Sequence, residues 1–375
     1  MKHFVRALGL SLLVAASACG ADAAETSEGG GQAASMKTMM VAGTMPFPLC
    51  GQSGGIPRAA DAASVAWFAG NVYTHLAVLA PALEASGFGK PGDARAWITD
   101  FETMKATRAA GRIEAASVLE QQLIGEPHLD RDIEFMSTGA IVGGEDGVNF
   151  EKGSTQATWA KLGGQNVVVV AFRGTETGEM PDLRTNLDAF KTGAPTGGEV
   201  HRGMSRALDQ LAPRIFERIR NEPPGTRLVL TGHSLGGALA VLFATRLLTS
   251  MPDVQVDAIY TFGAPRIGTE RFVDGFWSIT RERKIATLFV ERDRDIVTRL
   301  PPTDWAYRNM QPYASLDSEG LEIEGKRESG RSVNAHAITG YADLLKAAVQ
   351  AKKVVPGGRF ASVPTDELVS CAASR

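Results

Sequence analysis

The chain has 375 residues, 44% of them hydrophobic and 22% charged, and carries a net charge of −3 at neutral pH. That length suits one large α/β domain with additions or two small domains. No repeat of solenoid period is visible, and neither the slight acidity nor any basic cluster offers a general attraction to nucleic acid, so repeat arrays and nucleic-acid binders are excluded.

Lys2, His3 and Arg6 precede an apolar stretch from Leu8 to Ala18 that is too short to span a bilayer, followed by small residues. This is the form of a secretory signal over residues 1–18, and export is expected. Ala16-Ser17-Ala18-Cys19 resembles a bacterial lipobox with Ala16 in place of the usual leucine, so Cys19 is expected to carry lipid and bring the protein to a membrane. Cleavage after Ala18 or Ala23 without lipidation is the alternative. Residues 19–45 read as a flexible tether, with the small, polar, Gly-rich run from Gly20 to Ser35 at their centre. Cys50 and Cys371 remain as an even pair in an oxidising compartment, and a disulfide between them is expected.

Residues 46–132 read as a mainly helical region packed on the core. From Ala59 the apolar residues Val65, Phe68, Val72, Leu76, Leu79 and Leu83 step by three and four, which predicts a helix buried along one face and ended or kinked at Pro81. His75 lies within that pattern and is assigned no chemistry, nor is the weaker helical stretch from Ala94 to Leu123.

Residues 133–353 alternate strands and helices, and residues 354–375 are read as a tail. Ile133 to Val142 and Ala157 to Leu162 look like strands. Asn166 to Phe172 follows, a run of valines suited to a strand buried on both faces. A polar loop is expected from Glu176 to about Gly198, then an amphipathic helix through Ala207, Leu208, Leu211, Ile215 and Ile219, closed by Pro223-Pro224-Gly225. Two more strands are expected at Val256 to Phe262 and Lys284 to Val290. Strands joined by helices imply a mostly parallel sheet with right-handed crossovers, and sites in such sheets gather at the carboxyl ends of the strands.

Between those strands lies Thr231-Gly232-His233-Ser234-Leu235-Gly236-Gly237, entered from Leu228-Val229-Leu230 and left through the apolar run Ala238 to Ala244. This is a strand, a sharp turn and a helix with a serine at the tip, the Gly-x-Ser-x-Gly nucleophile elbow. Gly51-Gln52-Ser53-Gly54-Gly55 matches the same pattern but has neither an entering strand nor a departing helix, and reads as a loop. A serine hydroxyl needs a base within hydrogen-bond reach and a group that orients the base. In elbow enzymes the acid and then the histidine follow the serine along the chain. His336 alone follows Ser234, because His3, His75, His128, His201 and His233 all lie upstream. The acid could be Asp253, Asp257, Asp274, Asp293, Asp295, Asp304 or Asp317; Asp295 is favoured because it directly follows a core strand and precedes Ile296-Val297, with Asp293 its rival on spacing.

These residues resemble the class 3, or fungal-type, lipases, an α/β-hydrolase family. The resemblance rests on Val170 to Thr175, Val200 to Met204, Thr231 to Gly237, Tyr260 to Gly268, and Arg294 to Val297 with Leu300-Pro301-Pro302, in the family's order across about residues 135 to 350. It implies an α/β-hydrolase fold and a triad of Ser234, Asp295 and His336. It further implies an oxyanion hole from the backbone N–H groups of Thr175 and Leu235, the former helped by its hydroxyl, with His233 and His201 in support, and no metal or organic cofactor. The implied substrate is a lipid carboxylic ester. A phospholipase A1, a short-chain esterase and, from another class, a catalytically inactive surface binding protein are the alternatives. Family lipases carry an amphipathic lid after the oxyanion-hole strand; the equivalent stretch here, Glu176 to Leu187, offers only Met180, Leu183 and Leu187 as apolar residues, so little interfacial activation is expected.

Overall fold

The structure, a computed structural model, describes residues 45–50, 54–71, 133–137, 156–162, 166–174, 190–311, 313–324 and 332–370. The expected signal, the expected tether up to residue 44 with Cys19, the helical pattern beyond Asn71 with His75, the expected oxyanion residue Thr175, the lid stretch and Cys371 all lie outside the described residues.

Among the described residues, nine strands lie side by side in one sheet, in the order in which they follow one another along the chain. They are β1 (Ile133–Ser137), β2 (Gln156–Leu162), β3 (Val167–Phe172), β6 (Arg227–His233), β7 (Gln255–Phe262), β8 (Ala286–Arg292), β9 (Ala314–Leu316), β10 (Leu321–Glu322) and β11 (Val354–Val355). The centre, from β3 through β6, β7 and β8 to β9, is parallel throughout, and the strands at the β1 edge are antiparallel. This is the mostly parallel sheet flanked by helices that the alternating pattern predicts.

Side-chain alternation along the strands divides the core in two. Val168, Val170, Phe172, Leu228, Leu230 and Ile259 face one side, where α2 (Arg202–Arg220), α3 (Leu235–Ser250) and α4 (Glu270–Glu282) cover them. Val167, Val169, Ala171, Val229, Tyr260 and Phe262 face the other, under α1 (Ala59–Asn71), α5 (Ile338–Gln350) and α6 (Thr365–Val369). Every residue of β3 is buried, as expected of an unbroken β-branched run between two helical layers.

Three features differ from expectation. The polar stretch before α2 contains a hairpin of β4 (Lys191–Gly193) and β5 (Glu199–His201), stitched back by the bond from His201 N–H to the carbonyl of Ile267. Residues 354–370, read as a tail, join the sheet as β11 and bury Phe360, Leu368 and Val369 in the core. The helix α1 is buried around almost its whole circumference rather than along one face, because it lies between the sheet and α5 and α6. Its alanines, Ala59, Ala60, Ala62, Ala63, Ala66 and Ala69, let it approach its neighbours from every side, and a one-face pattern cannot report that.

The start of α1 is tied down by polar contacts. The Asp61 carboxylate accepts the N–H of Cys50 at 2.8 Å, and the Tyr260 hydroxyl accepts the N–H of Arg58 at 3.1 Å. Cys50 is disulfide-bonded, and the two other cysteines lie outside the described residues. Burial pushes the Asp61 carboxyl up to about 6, against the pull of the Cys50 N–H and of Arg58, with Asp257 adding to the rise. The folded state therefore holds a proton that the unfolded chain releases near pH 4, and this contribution, up to about 3 kcal/mol, is present below pH 4 and lost as pH rises through about 6. Urea unfolding of Asp61→Asn is expected to lack that loss between pH 4 and pH 6, while the parent shows it.

Candidate active site

The site is built where β6 stops. Ser234 sits between the end of β6 and the first residue of α3 with φ 57° and ψ −129°, a left-handed conformation that costs a non-glycine residue about 1–3 kcal/mol. The glycines around it permit the turn. A Cβ at Gly232 would strike the backbone of Gly236, and one at Gly236 would strike the carbonyl of Phe172, so the elbow is pressed against the end of β3. The N–H of Ser234 bonds the carbonyl of Phe262 at 2.9 Å, fixing the serine against the end of β7. Leu235 opens α3, so its N–H belongs to the first helical turn, which has no partner within the helix. The end of β3 beside it leads into Arg173 and Gly174, after which the described residues stop short of Thr175.

Asp295 and His336 come from separate loops at the same end of the sheet. His336 lies on a single 3-10 turn, Asn334–His336, just before α5. Asp295 follows β8, and its loop is bridged to the histidine's through Ser332, whose N–H bonds the carbonyl of Arg294 at 2.7 Å. The two side chains meet at 2.8 Å between His336 Nδ1 and Asp295 Oδ2, with the carboxylate fully buried. Asp293, the rival by spacing, is instead paired with Arg294 at 3.5 Å. Asp257 pairs with Arg227 at the opposite end of the sheet.

The carboxylate has two further donors. The Tyr341 hydroxyl donates to Oδ2 at 2.6 Å and the Val297 N–H donates to Oδ1 at 2.9 Å. Burial by itself would raise this carboxyl, but the charge and hydrogen bond of His336 and the bonds from Tyr341 and Val297 outweigh it, so Asp295 is held below the ordinary carboxylate range. Tyr341, buried and bonded to an anion, is raised well above the usual phenol range and stays protonated as the donor. Gly263, at φ 58°, leaves room for the cluster: a Cβ there would lie 2.8 Å from Asp295 Oδ2 and 3.0 Å from the Tyr341 hydroxyl.

His233 supports the histidine loop from below. Burial, reinforced by the neighbouring His336, lowers it to about 3, so the ring is neutral, and its Nε2 lies 2.7 Å from the carbonyl of His336 as a donor. The two rings are 4.4 Å apart. His201 is placed differently. It caps α2, its Nδ1 accepting the N–H of Met204 at 3.3 Å, and its ring lies 6.0 Å from that of Tyr307. Ser234 Oγ and His336 Nε2 are both buried, and neither has a hydrogen-bond partner among the described residues. One acid, one oriented imidazole with an open nitrogen, and one strained hydroxyl are thereby gathered at one end of the sheet.

Tyr341 was not legible from the sequence. It stands five residues after His336 in an ordinary helical pattern, and only the packing of α5 against the end of β8, where Tyr341 accepts the Arg292 N–H at 3.0 Å, turns it to the carboxylate.

Residues 169–305 match the model of the lipase (class 3) family. Over this segment the chain is similar to the class 3 lipases. A triacylglycerol lipase of Arabidopsis thaliana is 31% identical over 215 residues, covering 46% of this chain and 41% of the plant protein. A secreted mono- and diacylglycerol lipase of Fusarium solani is 28% identical over 204 residues, covering 52% of this chain and 55% of its own length. The chain spans about half the length of the curated relatives it matches. The solved structure of lipase II from Rhizopus niveus aligns with a TM-score of 0.40 at 20% identity, over 61% of this chain and 82% of that one.

Replacing Tyr341 by Phe removes a bond to a buried anion. The Asp295 carboxyl is expected to rise, read by carboxyl-carbon NMR titration, and urea unfolding to lose about 1.5–3 kcal/mol.

Proposed function

We propose that this protein is an exported serine hydrolase that cleaves carboxylic esters of lipids. The observation that carries the reading is the buried 2.8 Å bond from His336 to Asp295, which leaves the other imidazole nitrogen without a partner among the described residues, at the end of the sheet where the elbow serine also lies. The match of residues 169–305 to the lipase (class 3) family model and the lipase names of the chain's relatives support the same conclusion.

In this mechanism His336 Nε2 takes the proton of Ser234 as Oγ attacks the ester carbonyl, and Asp295 stabilises the imidazolium that forms. The tetrahedral oxyanion is held by the N–H of Leu235 and by Thr175, donors each worth about a hundredfold to a thousandfold in rate. His336 returns the proton to the departing alcohol, leaving an acyl group on Ser234. Water then enters, loses a proton to His336 and releases the fatty acid, and the proton goes back to Ser234. His233, neutral and bonded to the carbonyl of His336, keeps the imidazole in line.

Turnover of a series of p-nitrophenyl esters from acetyl to palmitoyl, below and above the solubility limit, tests the proposal. Ser234→Ala is expected to lose at least about a thousandfold in kcat. An optimum at long chains fits a lipase, and one at acetyl or butyryl fits a short-chain esterase. Equal inertness of folded wild type and mutant on every ester would remove the hydrolase reading and leave a binding protein.

The export reading includes a membrane anchor at Cys19 and a disulfide from Cys50 to Cys371. Leu49, next to Cys50, and Val369, two residues before Cys371, belong to the same core cluster, which supports the pairing. Intact mass with and without reductant before alkylation is expected to show one protected pair, and Cys371→Ser to cost about 2–5 kcal/mol in unfolding.

A further inference from the structure

The loop that carries Asp295 has a second anchor, in Arg266. Arg266 stands in the turn after β7, in Gly263-Ala264-Pro265-Arg266. Its backbone N–H bonds the carbonyl of Leu300 at 2.6 Å. Its guanidinium donates through Nη1 to the carbonyl of Pro301 at 2.7 Å and to that of Arg299, and through Nε to Asn309 Oδ1 at 2.5 Å. Asn309 in turn donates to Glu291 of β8 at 3.4 Å. The segment from Val297 to Pro301 is therefore gripped at three successive carbonyls by one residue, and the grip is referred back to the strand from which the acid emerges.

That segment is also what aims the carboxylate. Val297 donates its N–H to Asp295 Oδ1, and the Thr298 hydroxyl donates to the carbonyl of Asp295 at 3.1 Å. If residues 297–301 shift, the Val297 donor shifts with them and the carboxylate turns away from His336. Charge-assisted bonds from a planar guanidinium to several acceptors hold geometry in a way a lysine cannot reproduce.

We infer that Arg266 is a positioning residue for the acid of the proposed hydrolytic site, acting through the Val297–Pro301 loop on Asp295. The inference rests on the hydrolase reading for its rate effects and on geometry alone for its spectroscopic ones. Full-length Arg266→Ala and Arg266→Lys are to be compared with wild type on p-nitrophenyl butyrate, alongside the downfield proton resonance of the His336–Asp295 hydrogen bond, assigned by its loss in Asp295→Asn.

The expected result is a fall in kcat of about a hundredfold in Arg266→Ala with KM within about twofold, since an angstrom of misplacement suffices for that. Millimolar guanidinium chloride, but not sodium chloride, restores part of it, and the downfield resonance moves or broadens. Arg266→Lys falls between, and decides the matter if the alanine variant does not fold. Unchanged kcat and an unchanged resonance would overturn the inference. So would a loss confined to KM and indifferent to guanidinium, which would place Arg266 on the substrate instead. If wild type hydrolyses no ester, the hydrolase reading falls by itself and the resonance alone decides on Arg266.

Discussion

The architecture depends on keeping one carboxylate charged in a place where water cannot reach it. Desolvation works against Asp295, and a lone buried anion would simply take up a proton. Three donors from three parts of the chain prevent that: His336 before α5, Tyr341 within it, and Val297 in the acid's own loop. Each donor fixes an element. The sheet brings the ends of β6, β7 and β8 together, α5 is laid down so that Tyr341 points inward, and Gly263 has no side chain because the cluster occupies its space. Much of the fold at this end can be understood as the set of supports an ionised group needs in order to stay ionised.

The elbow shows the complementary demand, for a backbone held where it would not rest. Ser234 tolerates its left-handed conformation because the chain before it is a fully paired central strand and the chain after it is a helix buried almost throughout. In the proposed hydrolase, a hydroxyl held this way would lose little motion on meeting a substrate, since its freedom was given up on folding.

What could be seen in the sequence was whatever chemistry writes locally. The elbow is a contiguous pattern, β3 is a run of valines, and the order of serine, acid and histidine left His336 alone. Sequence could narrow the acid to Asp295 or Asp293 by neighbours, but the separation of the two is a matter of where the β8 loop turns: one points at the imidazole and the other at Arg294. Tyr341 and the guanidinium of Arg266 were not visible as partners because their roles exist only across elements. The burial of α1 on all sides escaped for the same reason. Alanine is small everywhere, and nothing in a helical period says that a second layer of helices will arrive from residues 338–369.

That late arrival has a consequence for the order of events in folding. Under one face of the sheet, Leu49, Trp67 and Phe68 share a cluster with Tyr341, Leu345, Phe360 and Leu368, residues from opposite ends of the described chain. This half of the interior cannot be sealed by a fragment that lacks residues 338–369, and contacts that must close over such distances in sequence make formation slow.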